Sequence, residues 1–487
     1  MNINKRIKQT IAAIVCTLPV FGMISCHKDI LNPKPKTQIA EANAFDTPER
    51  VLAQVYGLYD ALKSGNFLGG RYLIYNDIRG EEFINRLTNG VTGLQTWNHT
   101  LSSSTNEVQN LWVAIYAAVN RINVFLKGLN DNKDKIDPNL FKQYTAEAKF
   151  MRALCYYDLL TLYARPYADG NGSKPGMPLR MQAETTTANN DLARSSVQTT
   201  YDVILADLNA AEADLPSSYS SSALNVTRAH KNTAIALKTR ILLSMGRYSD
   251  VVNEASKIVS GSAPYQAPNG VAHKLEANVT TPFTNYTTTE SIFSMPMTDT
   301  DAPGVQNQLC YYYNVPGLGN GEYFINKTGS GIFTDTSWKA TDARKVNFLI
   351  VSGTNTYLKK FNKPSPFTDY VPVIRYAEIL LNYAEAAAEK GDLTKAVELL
   401  KAVRNRSDAT YVFATTTVDT KDKIIARILI ERRIELLGEG FRSIDILRRL
   451  QTIPSKSTVN SITPWQQEYI WPIPSNELLA NKLMTPN

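Results

Sequence analysis

The chain has 487 residues, 43% of them hydrophobic and 20% charged, which is ordinary globular usage and excludes a multi-span membrane protein or a disordered polymer. Its formal charge of +7, from 52 Lys and Arg against 45 Asp and Glu, is too small and too dispersed for a nucleic-acid-binding face, which needs clustered bases. Four cysteines, with Cys16 and Cys26 both near the N-terminus, exclude a disulfide scaffold and a zinc site of the CxxC type.

In chain order, Lys5-Arg6-Ile7-Lys8 is a basic flank followed by an apolar run, Ile11 to Ile24, broken by Thr17, Pro19 and Gly22. The run is too short to span a bilayer and predicts a secretory signal peptide over residues 1–25. It ends in Met23-Ile24-Ser25-Cys26. A small residue directly before Cys at the end of such a run resembles a bacterial lipobox, although Ile24 stands where a small residue is usual. Cys26 is therefore the predicted lipidation site. Pro33 and Pro35 favour an extended backbone, so residues 26–40 are predicted to be a lipidated tether.

The body begins with a predicted helix over 49–62, where Val51, Val55, Leu58 and Leu62 fall on one face behind Thr47-Pro48. Residues 65–105 are polar and irregular and carry Tyr72, Tyr75, Asp77, Arg79, Trp97 and His99. Helical patterning returns over 107–129 and again over 144–163, where Cys155 sits on the apolar stripe as a small core residue. Residues 170–190 read as loop and 201–215 as helix. Two later segments share one design. Residues 234–245 and 251–259 flank Gly246, and residues 375–389 and 396–403 flank Gly391. Helix, glycine turn, helix, with alanines where two helices approach, is the logic of a tetratricopeptide unit. Between them, residues 260–371 lose the helical period and hold Tyr286, Tyr311, Tyr312, Tyr313, Tyr323, Trp338 and Tyr357; a loop-rich stretch of this length is functional or contains small strands. The expected fold is mainly α, with tetratricopeptide-like helical hairpins packed with a loop-rich ligand-binding region.

No catalytic or metal motif stands out. His27, His99, His230 and His273 are scattered, with no HExxH pair, no GxSxG elbow and no phosphate-binding glycine loop. Asp299 and Asp301 read as solvated turn residues. Glu431, Glu435 and Glu439 follow one another at i, i+4, a like-charge ridge that destabilises an exposed helix. They are predicted to meet Arg side chains from the chain's other helices. The aromatics of the loops are the better lead, since a Tyr or Trp face stacks on the C–H patch of a sugar while Asp, Asn or Arg satisfies its hydroxyls. Trp97 and the run Tyr311-Tyr312-Tyr313 are the first choices, with Tyr72, Tyr75, Asp77 and Arg79 beside them. The segments 72–99 and 311–323 are expected to form one site.

Six stretches in order carry a family resemblance: Ala44-Phe45 with the helix that follows; AEAKFMRA at 146–153 with Tyr156-Tyr157-Asp158-Leu159; Tyr201 to Pro216; RYAEILL at 375–381 with Tyr383-Ala384-Glu385-Ala386; ERRIEL at 431–436 with Glu439-Gly440-Phe441-Arg442; and YIWPIP at 469–474 with Glu477 and Asn481. Behind a lipobox-like Cys, this set resembles the SusD/RagB family of outer-membrane nutrient-binding lipoproteins along nearly the whole mature length. Ser443 departs from it, standing where the family often has Trp. The resemblance implies a cell-surface lipoprotein without catalytic residues or cofactor. It implies an oligosaccharide or peptide ligand, an outer-membrane anchor through the N-terminal lipid, and a SusC-like TonB-dependent transporter as partner. The corresponding regions are an N-terminal helical region 41–260, a loop-rich ligand-binding insertion 261–371 and a C-terminal helical region 372–487. A secreted glycan-processing enzyme and a protein-binding scaffold that uses the hairpin groove are the alternative readings.

Overall fold

A computed structural model describes residues 43–487; the predicted signal peptide, Cys26 and the tether lie outside the described residues. The chain divides into two compact units, residues 1–51 and 52–487. Of the first, residues 43–51 are described, a short turn leading into helix α1 (Pro48–Leu62).

Eight long helices of the second unit form an array in which each packs on its neighbours. They are α3 (Asn106–Asp131), α4 (Pro138–Tyr163), α5 (Val197–Asp214), α6 (Lys231–Ser244), α7 (Tyr248–Ile258), α8 (Tyr376–Glu389), α9 (Leu393–Ser407) and α10 (Lys421–Glu435). Two shorter helices, α2 (Arg71–Ile78) and α11 (Arg442–Arg448), pack together. Local chemistry sets the helix starts. Asp137 accepts from the amides of Asn139 and Leu140 ahead of Pro138, and Ser196, Asp392 and Thr420 cap α5, α9 and α10 in the same way. The turns α6–α7 and α8–α9 fall at Gly246 and Gly391, with φ of +67° and +89°. Nothing lies within 4 Å of where a Cβ would stand at either glycine. The left-handed backbone, rather than lack of space, selects glycine there. Leu242, Leu243 and Val251 of the first hairpin close on Ala386 of the second, a small residue that lets the helices approach.

The stretch 260–371 lacks long helices but is tied to the array by small antiparallel sheets. Strand β2 (Ser291–Met295), buried throughout, pairs with β6 (Val371–Arg375), which leads directly into α8. β4 (Leu349–Ser352) and β5 (Asn355–Leu358) form a hairpin, and β1 (Phe83–Asn85) pairs with β3 (Tyr323–Ile325). The irregular reading of residues 65–105 needs correction. That stretch contains α2, all eight of whose residues are buried. A two-turn helix covered on every side shows no amphipathic period, so the pattern hides it.

The glutamate ridge is paired and buried. Glu431 accepts from Arg344 at 2.6 Å and Arg404 at 2.5 Å. Glu435 accepts from Arg344, Arg406 and Arg375 at 2.8, 2.7 and 3.2 Å. Glu439 accepts from Arg375 at 2.7 Å and Lys360 at 2.8 Å. Asp342 pairs with Arg344, and Glu290 with Arg375 and Arg406. Five acids and five bases therefore balance inside the fold, and together they join the loop-rich stretch to α8, α9 and α10. Burial pushes the Glu435 carboxyl up, but Arg406, Arg375 and Arg344 outweigh it and hold the group well below the usual carboxylate range. Cys155 and Cys310 are buried free thiols.

Candidate ligand-binding site

The pairing of β1 with β3 brings together the two loop regions singled out from the sequence. Phe83 stands opposite Ile325, and Asn85 opposite Tyr323. Side chains reinforce the junction. Arg86 donates from Nε to the carbonyl of Gly321 (2.7 Å) and from Nη2 to that of Asn320 (2.6 Å). Thr92 Oγ1 donates to Glu322 (2.9 Å), and the Tyr323 hydroxyl donates to the Thr92 carbonyl (2.8 Å). Arg71, at the start of α2, binds the Val91 carbonyl at 2.6 Å, Asn307 Oδ1 at 2.6 Å and the Gln306 carbonyl at 3.1 Å. One guanidinium thus holds the turns at Val91 and at Gln306–Asn307 in register against α2.

The outer face of this junction is built around Tyr311, which is half-buried. Its hydroxyl accepts from Asn320 Nδ2 (3.1 Å) and Gln306 Nε2 (3.4 Å), and its ring meets Phe367 edge-on at 5.8 Å. Val91, Leu318 and Val305 lie exposed on the turns that these bonds tie down, at 57%, 43% and 83% of full exposure. An aromatic ring, exposed apolar side chains and carboxamides in one surface can stack on a C–H face and bind hydroxyls. Sequence reasoning missed Val91, Val305, Gln306, Leu318 and Asn320. The signal available for two of them was an apolar residue in a glycine-flanked turn, near Gly90 and between Gly317 and Gly319.

Tyr311 is the member of the sequence-derived set that reaches this surface. The other seven, namely Trp97, Tyr312, Tyr313, Tyr72, Tyr75, Asp77 and Arg79, are each at most 6% exposed, so their expected placement on open loops is corrected. Each has a packing or bonding role in the interior. Trp97 donates from Nε1 to the Phe83 carbonyl at 2.8 Å and so pins β1. Tyr312 stacks on Tyr323 with centroids 6.1 Å apart, and Tyr313 lies against Phe83 at 4.7 Å. The Tyr72 hydroxyl bonds Thr161 of α4; Tyr75 accepts from Arg71 and packs on Trp471. Asp77 accepts from the Gly440 amide at 2.8 Å, and burial pushes its carboxyl up to about 8. Arg79 binds the backbone carbonyl of Glu468 at 3.0 Å. These rings hold the loops to the body, because burying an aromatic side chain removes some 150–250 Å² from water. Asp301 stays exposed and pairs with Lys63, and among the described residues no cluster of metal-ligating side chains occurs.

Comparison with known proteins places these features in a wider group. The family described as "SusD family" matches residues 252–487, and the one described as "Starch-binding associating with outer membrane" matches residues 31–243. The SusD-like protein P38 of Formosa agariphila is 24% identical over 514 residues, covering 96% of each chain. A SusD superfamily protein of Bacteroides fragilis, known from a crystal structure, is 34% identical with a TM-score of 0.81, covering 91% of this chain and 100% of its own. A laminarin-binding SusD-like protein superposes with a TM-score of 0.69 at 21% identity, covering 91% of this chain and 99% of its own.

Proposed function

Because this chain belongs to the SusD family, we propose that it is a cell-surface glycan-binding protein that captures an oligosaccharide at the Tyr311 surface and delivers it to a SusC-like, TonB-dependent outer-membrane transporter. The observation that carries the reading is the half-buried Tyr311 ring with its hydroxyl fixed by two carboxamides, set among exposed Val91, Leu318 and Val305. Segment 261–371 supplies one side of that surface and the 86–92 turn the other. The laminarin-binding relative shares the fold and supports a glycan over a peptide.

We read the protein as a binder without catalytic activity. Cleaving a glycosidic bond takes two carboxylates facing it, whereas Glu322, the carboxylate bonded into this junction, is buried and engaged by Thr92 and Asn320. Among the described residues no helix is long and apolar enough to cross a membrane. Attachment to the outer membrane, facing the exterior, is assigned to a lipid on Cys26, on the strength of the apolar run that ends in Ser25-Cys26.

Calorimetry with soluble laminarin and starch oligosaccharides tests the site. Loss of a stacking ring costs on the order of 1–3 kcal/mol, so Tyr311→Ala should weaken binding about tenfold or more while the melting temperature stays within a degree or two. Unchanged affinity sinks the site. Release of new reducing ends by the wild type would favour an enzyme instead. Capture of a protein partner with no glycan binding at all would favour a scaffold.

A further inference from the structure

We infer that a cavity on another part of the body, bounded by the end of α2 and the 467–470 segment, is a binding site for a small oxyanion, a carboxylate or sulfate group. The cavity has a volume of about 310 Å³ and is lined by Arg79, His99, Ser102, Ser103, Gln467 and Glu468. It shares none of its lining residues with the Tyr311 surface, so the inference does not rest on the proposed function.

Arg79 is 1% exposed and Lys456 2% exposed, and among the described residues no side-chain carboxylate lies within ion-pair distance of either. Both are held by backbone carbonyls, and Lys456 also sits over the Trp97 ring. Arg79 Nη2 donates to the carbonyls of Glu468 and Tyr469. Lys456 Nζ donates to those of Ile78, Arg79 and Gly80, closing the end of α2. Three neighbouring acids are already taken. Glu81 pairs with Arg442 and Arg433, Glu82 with Arg433, and Asp169 with Arg165. Glu468 meets Arg79 through its carbonyl, and the residue itself is exposed at the rim. Burial holds the Lys456 amine well below its ordinary value against the pull of Glu81, so the buried positive surplus is the Arg79 guanidinium, which a low-dielectric interior tolerates poorly unless an anion joins it.

The donors facing that surplus suit an oxyanion. Among the described residues Arg79 Nη1 has no partner, nor has Nε2 of His99, a residue 8% exposed. Burial pulls Arg79 down to about 10, which leaves it charged at neutral pH. Burial, then Lys456 and Arg79, hold His99 far below its usual value, so it is a neutral imidazole whose Nε2 can carry a proton to donate. Ser103 and Gln467 line the same cavity, and the planar fork of the guanidinium matches a carboxylate or sulfate.

The test uses the full-length protein in detergent. Calorimetry and thermal melting are followed with sodium sulfate, sodium acetate and sodium glucuronate, each against sodium chloride of equal ionic strength. A saturable rise in melting temperature with measurable binding heat is expected for at least one of the three. Response to sulfate identifies an inorganic or sulfated ligand, and response to acetate or glucuronate alone identifies a carboxylate. Arg79→Gln should abolish the response. Ser103→Glu, nearer the surface, supplies a carboxylate from within; it should abolish the response and raise the melting temperature without added anion at low salt. If Arg79→Gln fails to fold, the Ser103→Glu comparison decides. No saturable effect of any of the three on the wild type, or equal effects in wild type and Ser103→Glu, overturns the inference.

Discussion

The buried ten-charge network offers the sharpest test of how this fold holds together. Glu435 is 3% exposed and accepts from Arg344, Arg375 and Arg406, three bases that come from the loop-rich stretch, the end of β6 and α9. Glu435→Gln keeps the shape and one acceptor oxygen but removes the charge, leaving five bases with four acids. Breaking a buried pair from one side costs about 3–5 kcal/mol, because the partner charge stays buried without compensation. Arg406→Gln alone should cost less, since Glu435 keeps Arg344 and Arg375. The double variant restores the balance at four and four, so its loss should fall short of the sum of the single losses by roughly 1 kcal/mol or more. Urea midpoints of the four proteins at pH 7.5 measure this cycle. The pH dependence gives a second reading. Glu435 is held below its unfolded value, so its stabilisation is present above the unfolded carboxylate range near pH 4.3 and is lost as pH falls below it. The gap between wild type and Glu435→Gln should therefore narrow in acid. A Glu435→Gln loss within about 0.5 kcal/mol, or strict additivity in the cycle, would refute the claim that these charges act as one unit.

Three further outcomes are expected. His230 and His273 stack with ring centroids 5.3 Å apart in the interior, and burial pulls His273 down to about 4. The unfolded imidazole binds its proton near pH 6.5, so stability should fall as pH drops from about 6.5 towards 4, by about 2 kcal/mol at pH 5. His273→Phe should remove that share of the acid limb in melting scans while buried His230 keeps a share of its own, and an unchanged limb would clear His273 of the effect. Trp97→Ala should lower stability by about 3–5 kcal/mol, the cost of emptying a buried aromatic position; a melting temperature within a degree of wild type would contradict its role in pinning β1. Cys26→Ala should move the protein from the membrane fraction to the soluble fraction, and unchanged membrane fractionation would remove the lipid anchor from the proposal.

What the sequence determined by itself was whatever repeats over several turns or depends on local chemistry. The stripe from Tyr144 to Leu162, the caps at Asp137 and Asp392 and the turns at Gly246 and Gly391 are written in neighbouring residues, because a long helix records its buried face as a 3.6-residue period. The ridge at Glu431, Glu435 and Glu439 was legible for a related reason. Like charges at i, i+4 demand partners, though only the fold says that these are Arg344, Arg375, Arg404, Arg406 and Lys360. Tertiary structure alone decided which aromatics face water. Tyr311, Tyr312 and Tyr313 are consecutive and chemically identical, yet Tyr311 borders solvent while its two neighbours are fully buried under Tyr323 and Phe83. Trp97 and α2 are hidden in the same way by segments that lie hundreds of residues away, such as Lys456 and Trp471. Burial of a short irregular segment is set by what the rest of the chain lays over it, and no local period records that.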